Sequence, residues 1–129
     1  GLRDVLPKIG NVALQGELMG PGIQGNLAKL KTTTFFLFDI FDIAKYEYFG
    51  HIERKVVFRD FLENRIEHAP LLSCGGIPQI YKGSMEDLLP FAEGKSLLGD
   101  HQREGLVLKR MDGQFSFKIL SNTFLESSK

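Results

Sequence analysis

The residues best suited to chemistry lie in three separated segments of the chain. In Glu104-Gly105-Leu106-Val107-Leu108-Lys109, an extended backbone puts Glu104, Leu106 and Leu108 on one face and Gly105, Val107 and Lys109 on the other. Strand twist can bring both charges to one cleft, where a carboxylate and an ammonium would serve a metal ion and a phosphate. An edge strand with two solvated charges has the same pattern. Lys118, inside Phe115-Ser116-Phe117-Lys118-Ile119-Leu120-Ser121, has apolar neighbours and either snorkels to water or faces an anion. Two lysines on adjacent strands can flank a triphosphate and offset the charge of a departing phosphate group. The third segment, Gln15-Gly16-Glu17-Leu18-Met19-Gly20-Pro21-Gly22-Ile23-Gln24-Gly25-Asn26, sets Glu17 beside glycines that allow close approach of backbone or ligand. A carboxylate so placed can accept from a ribose hydroxyl. No Gly-Lys-Ser/Thr follows, so this is not a P-loop. A plain glycine-rich turn is the competing reading.

Taken together, GELMGPGIQGN, FFLFDI, EGLVLK and SFKILSN occur in this order between about Val12 and Leu125. The combination resembles the ATP-dependent RNA ligases, a branch of the covalent nucleotidyltransferases that also include DNA ligases and capping enzymes. The resemblance implies that residues 1–129 form the C-terminal part of an RNA ligase nucleotidyltransferase domain. In that chemistry a lysine attacks the α-phosphate of ATP, AMP passes to an RNA 5′-phosphate, and a 3′-hydroxyl displaces it. The implied cofactors are ATP and Mg2+ or Mn2+, and the implied partners are ATP and RNA ends. Carried over residue by residue, Glu17 would hold the ribose hydroxyls and Phe38 would stack on adenine. Glu104 would sit near the reactive phosphate and the metal. Lys109 and Lys118 would contact phosphates, and Lys118 would promote loss of pyrophosphate.

Two departures from the family pattern stand out. The family's nucleophile lies in a Lys-x-(Asp/His)-Gly motif well upstream of Glu17, whereas the sole candidate here, Lys8-Ile9-Gly10, has the wrong spacing. The chain alone is therefore expected to lack the adenylylation step. Many members also carry Lys-x-Lys where this sequence has Lys118-Ile119-Leu120, which bears on pyrophosphate handling. A DNA ligase, a capping-type enzyme, or a non-catalytic nucleotide- or RNA-binding module are the alternatives.

Positioning such residues needs a particular set of elements. Val12, Leu14, Gly16 and Leu18 alternate with Ala13, Gln15 and Glu17, which predicts a strand to about 18, broken by Gly20-Pro21-Gly22. A Gly-rich loop follows, with a short helical turn expected near Leu27–Leu30. TFFLFDIFDI over 34–43 is a strongly apolar strand. Strict alternation puts Phe36, Phe38, Ile40 and Asp42 on one face and Phe35, Leu37, Asp39 and Phe41 on the other, and Tyr46-Glu47-Tyr48 is placed to pair with it. Val56, Val57, Phe58, Phe61, Leu62 and Ile66 predict a helix over 53–66, ending before Pro70, with the charged run 53–60 as its solvated face. Residues 71–83 suggest a loop with a short strand. Ser84 is a good N-cap, with Asp87 three residues on, for a second helix burying Met85, Leu88, Leu89 and Phe91, and Pro90 is expected to kink or end it. Residues 104–110 and 114–120 form a hairpin across Met111-Asp112-Gly113. Residues 1–9 show no strong pattern. The order strand, strand, helix, helix, hairpin lacks βαβ alternation and predicts an α+β fold with mainly antiparallel sheets and flanking helices.

Composition sets the outer bounds. A chain of 129 residues with 43% hydrophobic and 25% charged residues suits one globular domain. Its 16 basic and 16 acidic residues cancel, so charge alone does not point to nucleic acid, although a local basic cleft is compatible with zero net charge. The single cysteine, Cys74, cannot build a disulfide framework or a zinc site and reads as a loop or core thiol. His51, His68 and His101 lack ligand spacing. Asp39 and Asp42 fall on opposite faces of their strand and do not form a carboxylate pair. With no leader or apolar span evident, a cytoplasmic setting without membrane is expected.

Overall fold

A computed structural model describes residues 1–72 and 84–129. Cys74 and most of the expected loop 71–83 lie outside the described residues. The elements are α1 (Leu2–Ile9), β1 (Val12–Met19), β2 (Thr34–Asp42), β3 (Glu47–Tyr48), α2 (His51–Val57), β4 (Glu67–His68), α3 (Leu89–Ala92), β5 (Gly105–Lys109), β6 (Ser116–Leu120) and α4 (Asn122–Ser127). The fold is α+β. It divides into two compact units, one of residues 1–69 and 109–116, the other of 70–108 and 117–129.

The first unit is built on a four-stranded sheet. β1 runs antiparallel to β2 along one edge. The other edge of β2 is shared by β3, antiparallel at Phe41 and Asp42, and by β4, parallel at Phe36 and Leu37. Its core is Val5, Leu37, Ile40 and Leu62, with Leu2, Ile9, Leu14, Phe35, Phe58 and Phe61 packed against it.

Strict alternation along β2 does not hold. Gln15 pairs with Asp39 but Gly16 pairs with Leu37, so Phe38 is the extra residue of a β-bulge. A bulge advances the side-chain phase by one position. Leu37 and Ile40, which an unbroken strand would place on opposite faces, therefore both enter the same core, fully buried. Phe38 is left partly exposed. Gly16 is required opposite the bulge, because a Cβ there would lie 2.4 Å from the Phe36 carbonyl oxygen and from the Phe35 ring.

Other boundaries moved for identifiable reasons. Residues 1–9 are helical, since Leu2, Val5 and Ile9 recur at helical spacing and pack on the core. The expected turn near Leu27–Leu30 is a 3-10 turn at Gln24–Asn26. The helix expected over 53–66 starts at His51 and continues past Val57 as a π-helical turn over Phe58–Leu62, closed by the Glu63 N–H donating to the Phe58 carbonyl at 2.8 Å. Asn64 then takes a left-handed conformation at φ 68°, and the rest of the expected helix, residues 63–66, is turn and bend leading into β4.

The second unit centres on Leu88, Ala92 and Ile119, with Leu106, Leu108 and Phe117 against them. β5 and β6 pair as the expected hairpin. The helix expected from Ser84 is confined to Leu89–Ala92, and its N-cap is Leu88 without a side-chain cap. Pro90 opens this helix instead of ending it, because a first-turn residue needs no N–H partner. Leu88 is buried as expected, while Met85, Leu89 and Phe91 are exposed.

Candidate functional site

The bulge makes Phe38 the centre of a polar cluster in the first unit. The Lys109 ammonium lies 5.4 Å from the Phe38 ring centroid and donates to the Phe38 carbonyl at 2.6 Å. It also pairs with Asp39 Oδ2 at 2.7 Å, and the opposite oxygen of Asp39 accepts from Arg54 Nη1 at 3.4 Å. One carboxylate therefore holds two cations directly behind an exposed aromatic ring. Burial lowers the pKa of Lys109, and its hydrogen bond to Asp39 opposes that shift. Burial likewise lowers that of Arg54, with Asp39 acting in the opposite sense.

The Arg54–Asp39 ion pair beside the site was not foreseen. The charged run 53–60 is not solvated throughout, for Arg54 is only 5% exposed. A signal was present: Arg54 precedes Val57, Phe58 and Phe61 by three, four and seven residues, which puts it on the apolar stripe. A charge there needs a buried partner.

His68 completes the cluster. Its Nδ1 lies 2.6 Å from the Ala69 carbonyl oxygen. A carbonyl only accepts, so Nδ1 carries the proton and Nε2 is the bare nitrogen. Nε2 is buried without a hydrogen-bond partner among the described residues. Burial is the main reason the His68 pKa falls below 6.5, helped by Arg54 and Lys109 and opposed by the Ala69 bond and Asp39. The His51 pKa is lowered too, by burial first and then by Arg54, Lys55 and His68. A base whose folded pKa is depressed binds fewer protons folded than unfolded, so stability rises with pH. Stability is expected to fall as pH drops below about 6.5, and the His68→Gln variant should flatten that fall in urea titrations at stepped pH. An unchanged pH slope in the variant would refute the assignment.

Glu17 is exposed on β1, immediately after Gly16 and opposite Phe36. Glu17 and Phe38 thus stand on neighbouring strands at the same bulge. Asp42 has a separate job, accepting from the Lys45 N–H at 2.9 Å to close the bend before β3.

Lys109 is held by the tip of the β5–β6 hairpin. Met111 accepts from the His51 N–H at 2.8 Å. The Gln114 amide accepts from the Tyr48 N–H at 3.1 Å and donates to the Tyr48 carbonyl at 2.6 Å.

In the second unit Glu104 and Lys118 form an ion pair across β5 and β6, both largely exposed. Gly105 next to Glu104 permits this close pairing, since a Cβ would lie 2.0 Å from the Ile119 carbonyl oxygen. The end of β6 is fixed by a fully buried Ser121. Its hydroxyl donates to Glu93 at 2.7 Å and accepts from the Phe124 N–H at 3.0 Å, capping α4. Leu120, where the family pattern has a second lysine, is 42% exposed. The five residues expected to act thus fall into two sets, Glu17, Phe38 and Lys109 in one unit and Glu104 and Lys118 in the other.

The pattern of one family, described as RNA ligase, matches residues 1–120. The chain belongs to the RNA ligase family. Solved structures of a Naegleria gruberi RNA ligase match over 98% of this chain. A lysine-to-alanine mutant of it with ATP and manganese is 41% identical with a TM-score of 0.86. A lysine-to-methionine mutant with AMP and manganese is 42% identical at 0.87, and the form with pyrophosphate is 42% identical at 0.86. This chain spans 37% of the length of those proteins. Comparison with curated proteins gives no match. Among the described residues no helix is long and apolar enough to cross a membrane.

Proposed function

We propose that this ligase chain supplies the base-stacking and phosphate-facing surfaces of the nucleotidyltransferase domain of an ATP-dependent RNA ligase, the enzyme that seals RNA 5′-phosphate and 3′-hydroxyl ends through lysyl-AMP and RNA-adenylate. The observation that carries this reading is the bulge at Phe38. It lifts one aromatic ring out of the strand register and sets the Lys109 ammonium against it. A ring so presented is a platform for a purine, with Glu17 on the next strand as acceptor for ribose hydroxyls. Lys109 and Lys118 would offset phosphate charge, Lys118 that of the departing pyrophosphate.

The donor set suits a divalent cation held mainly by nucleotide oxygens. Among the described residues no three His, Cys, Asp or Glu side chains gather into a cage, and Mg2+ typically takes one or two carboxylates with phosphates and water. Glu104 would be that carboxylate, and a metal there neutralises phosphate charge. Covalent attack needs an activated amine, and the exposed Lys8 in the last turn of α1 does not carry the family's motif. A reducing cytoplasmic setting suits a protein with this cysteine usage.

The test is ATP binding by the purified chain with Mn2+, followed by calorimetry, with intact mass recorded alongside. The Phe38→Ala variant is expected to lose about 1–3 kcal/mol of affinity with no change in fold, and the mass should show no AMP adduct. Equal affinity in the variant would remove Phe38 from the site, and an adduct would place the nucleophile within the chain, with Lys8 the first residue to replace.

A further inference from the structure

The segment joining β1 to β2 is a second charged surface that the nucleotide site does not use. Between Glu17 and Asp39 the sequence has no acidic residue and two lysines, Lys29 and Lys31. In a chain of zero net charge that is a local segregation of positive charge. Both lysines are exposed, as are Thr32 and Thr33 beside them. Neither ammonium pairs with a carboxylate among the described residues.

The loop holds these groups in a fixed arrangement. Three consecutive turns close through Ile23 N–H to Gly20 C=O at 3.1 Å, Asn26 N–H to Ile23 C=O at 2.8 Å and Lys29 N–H to Asn26 C=O at 2.8 Å. The Asn26 side chain then clamps the backbone of Leu30 from both sides, donating to its carbonyl and accepting from its N–H, each at 2.9 Å. At its base Gly20 lies so close to Thr33 that a Cβ would come within 2.7 Å of the Thr33 Cα. Lys29 is held left-handed at φ 52°, and Gln24 at φ 46°. A side chain other than glycine or asparagine rarely adopts that region, at a cost of roughly 1–2 kcal/mol. The clamp offsets that cost, and the outcome is a pre-formed rim with two unpaired ammoniums.

We propose that this loop is a contact surface for the sugar-phosphate backbone of RNA, engaged through Lys29 and Lys31. The inference rests on the RNA ligase reading for the identity of the polyanion. Backbone phosphates, not bases, are the fitting target, because ammoniums and hydroxyls without a groove-reading element carry no sequence information. Binding through them is independent of sequence and releases counterions.

The experiment is fluorescence-anisotropy binding of the chain to two unrelated single-stranded RNA 20-mers across 25–200 mM salt. For single strands each phosphate contact contributes about 0.7 to the slope of log affinity against log salt. Lys29→Ala/Lys31→Ala is therefore expected to flatten the slope by roughly 1.4, equally for both RNAs. A Lys8→Ala/Lys129→Ala variant, with the same loss of charge elsewhere, should leave the slope within error. Asn26→Ala, which frees the loop without removing charge, should weaken binding at unchanged slope. Absence of RNA binding by the parent chain, or an equal flattening by the control pair, overturns the proposal. ATP affinity measured on the same samples separates the two readings: loop variants should keep it, so a protein that binds ATP but not RNA refutes this surface alone.

Discussion

Replacing Asp39 with alanine is expected to destabilise the first unit by on the order of 3 kcal/mol. Among the described residues the carboxylate is the one negative charge in the ion pairs of Arg54 and Lys109, and the three side chains are 14%, 6% and 20% exposed. Removing it leaves a buried guanidinium and a mostly buried ammonium with no counter-charge. The desolvation cost of each then stands without compensation. Lys109 has a way out, since burial already favours its neutral form. Arg54 does not, because a guanidinium keeps its proton. The double variant Asp39→Ala/Arg54→Met is therefore expected to recover most of the loss, as replacement of a whole buried pair by apolar atoms often does. Urea denaturation at pH 7 measures both. A single variant within about 0.5 kcal/mol of the parent would mean that the pair is solvated and contributes little. Nucleotide affinity should fall in the single variant as well, since Asp39 and the Phe38 carbonyl together hold the Lys109 ammonium beside the Phe38 ring.

The strands that carry the candidate residues were legible in the sequence, and their irregularities were not. Alternation and aromatic content located β1, β2 and the terminal hairpin to within about two residues, because period-two patterning is a direct imprint of a half-buried sheet. The bulge at Phe38 left no such imprint. Phe, Leu, Phe, Asp, Ile reads as alternating under either phase, and the side chain that decides is the missing one at Gly16 on the partner strand. The buried Arg54 was hidden for a related reason. A charged residue inside a charged run looks solvated until the helix phase is checked against Val57, Phe58 and Phe61. The short β4 was invisible, because a two-residue parallel strand at Glu67–His68 is stabilised by its pairing with β2 and has no pattern of its own. Pro90 misled in the opposite direction, since its position relative to the helix start, not its presence, determines whether it breaks or begins a turn.

Gly113→Ala should be nearly as damaging as loss of Asp39, although Gly113 bears no side chain and lies at the hairpin tip. Two costs coincide there. Its φ of 80° is left-handed, which costs an alanine roughly 1–2 kcal/mol. The added Cβ would also lie 2.2 Å from the Phe49 carbonyl oxygen and 2.9 Å from its carbon, a backbone contact that cannot rotate away. Overpacking of that kind adds about 1–3 kcal/mol. Gly22→Ala separates the terms, because Gly22 has φ 79° with nothing within 4 Å of a built Cβ. It pays the conformational cost alone. The difference between the two variants in urea denaturation should therefore be at least about 1 kcal/mol, and no difference would mean that the tip does not seat against Phe49. If it does seat, the consequence reaches the site. The tip is fixed to β3 and to the start of α2 through Met111 and Gln114, and Lys109 is the residue immediately before it. Lifting the tip withdraws the ammonium from Asp39 and from the Phe38 ring, so Gly113→Ala should weaken nucleotide binding while Gly22→Ala does not.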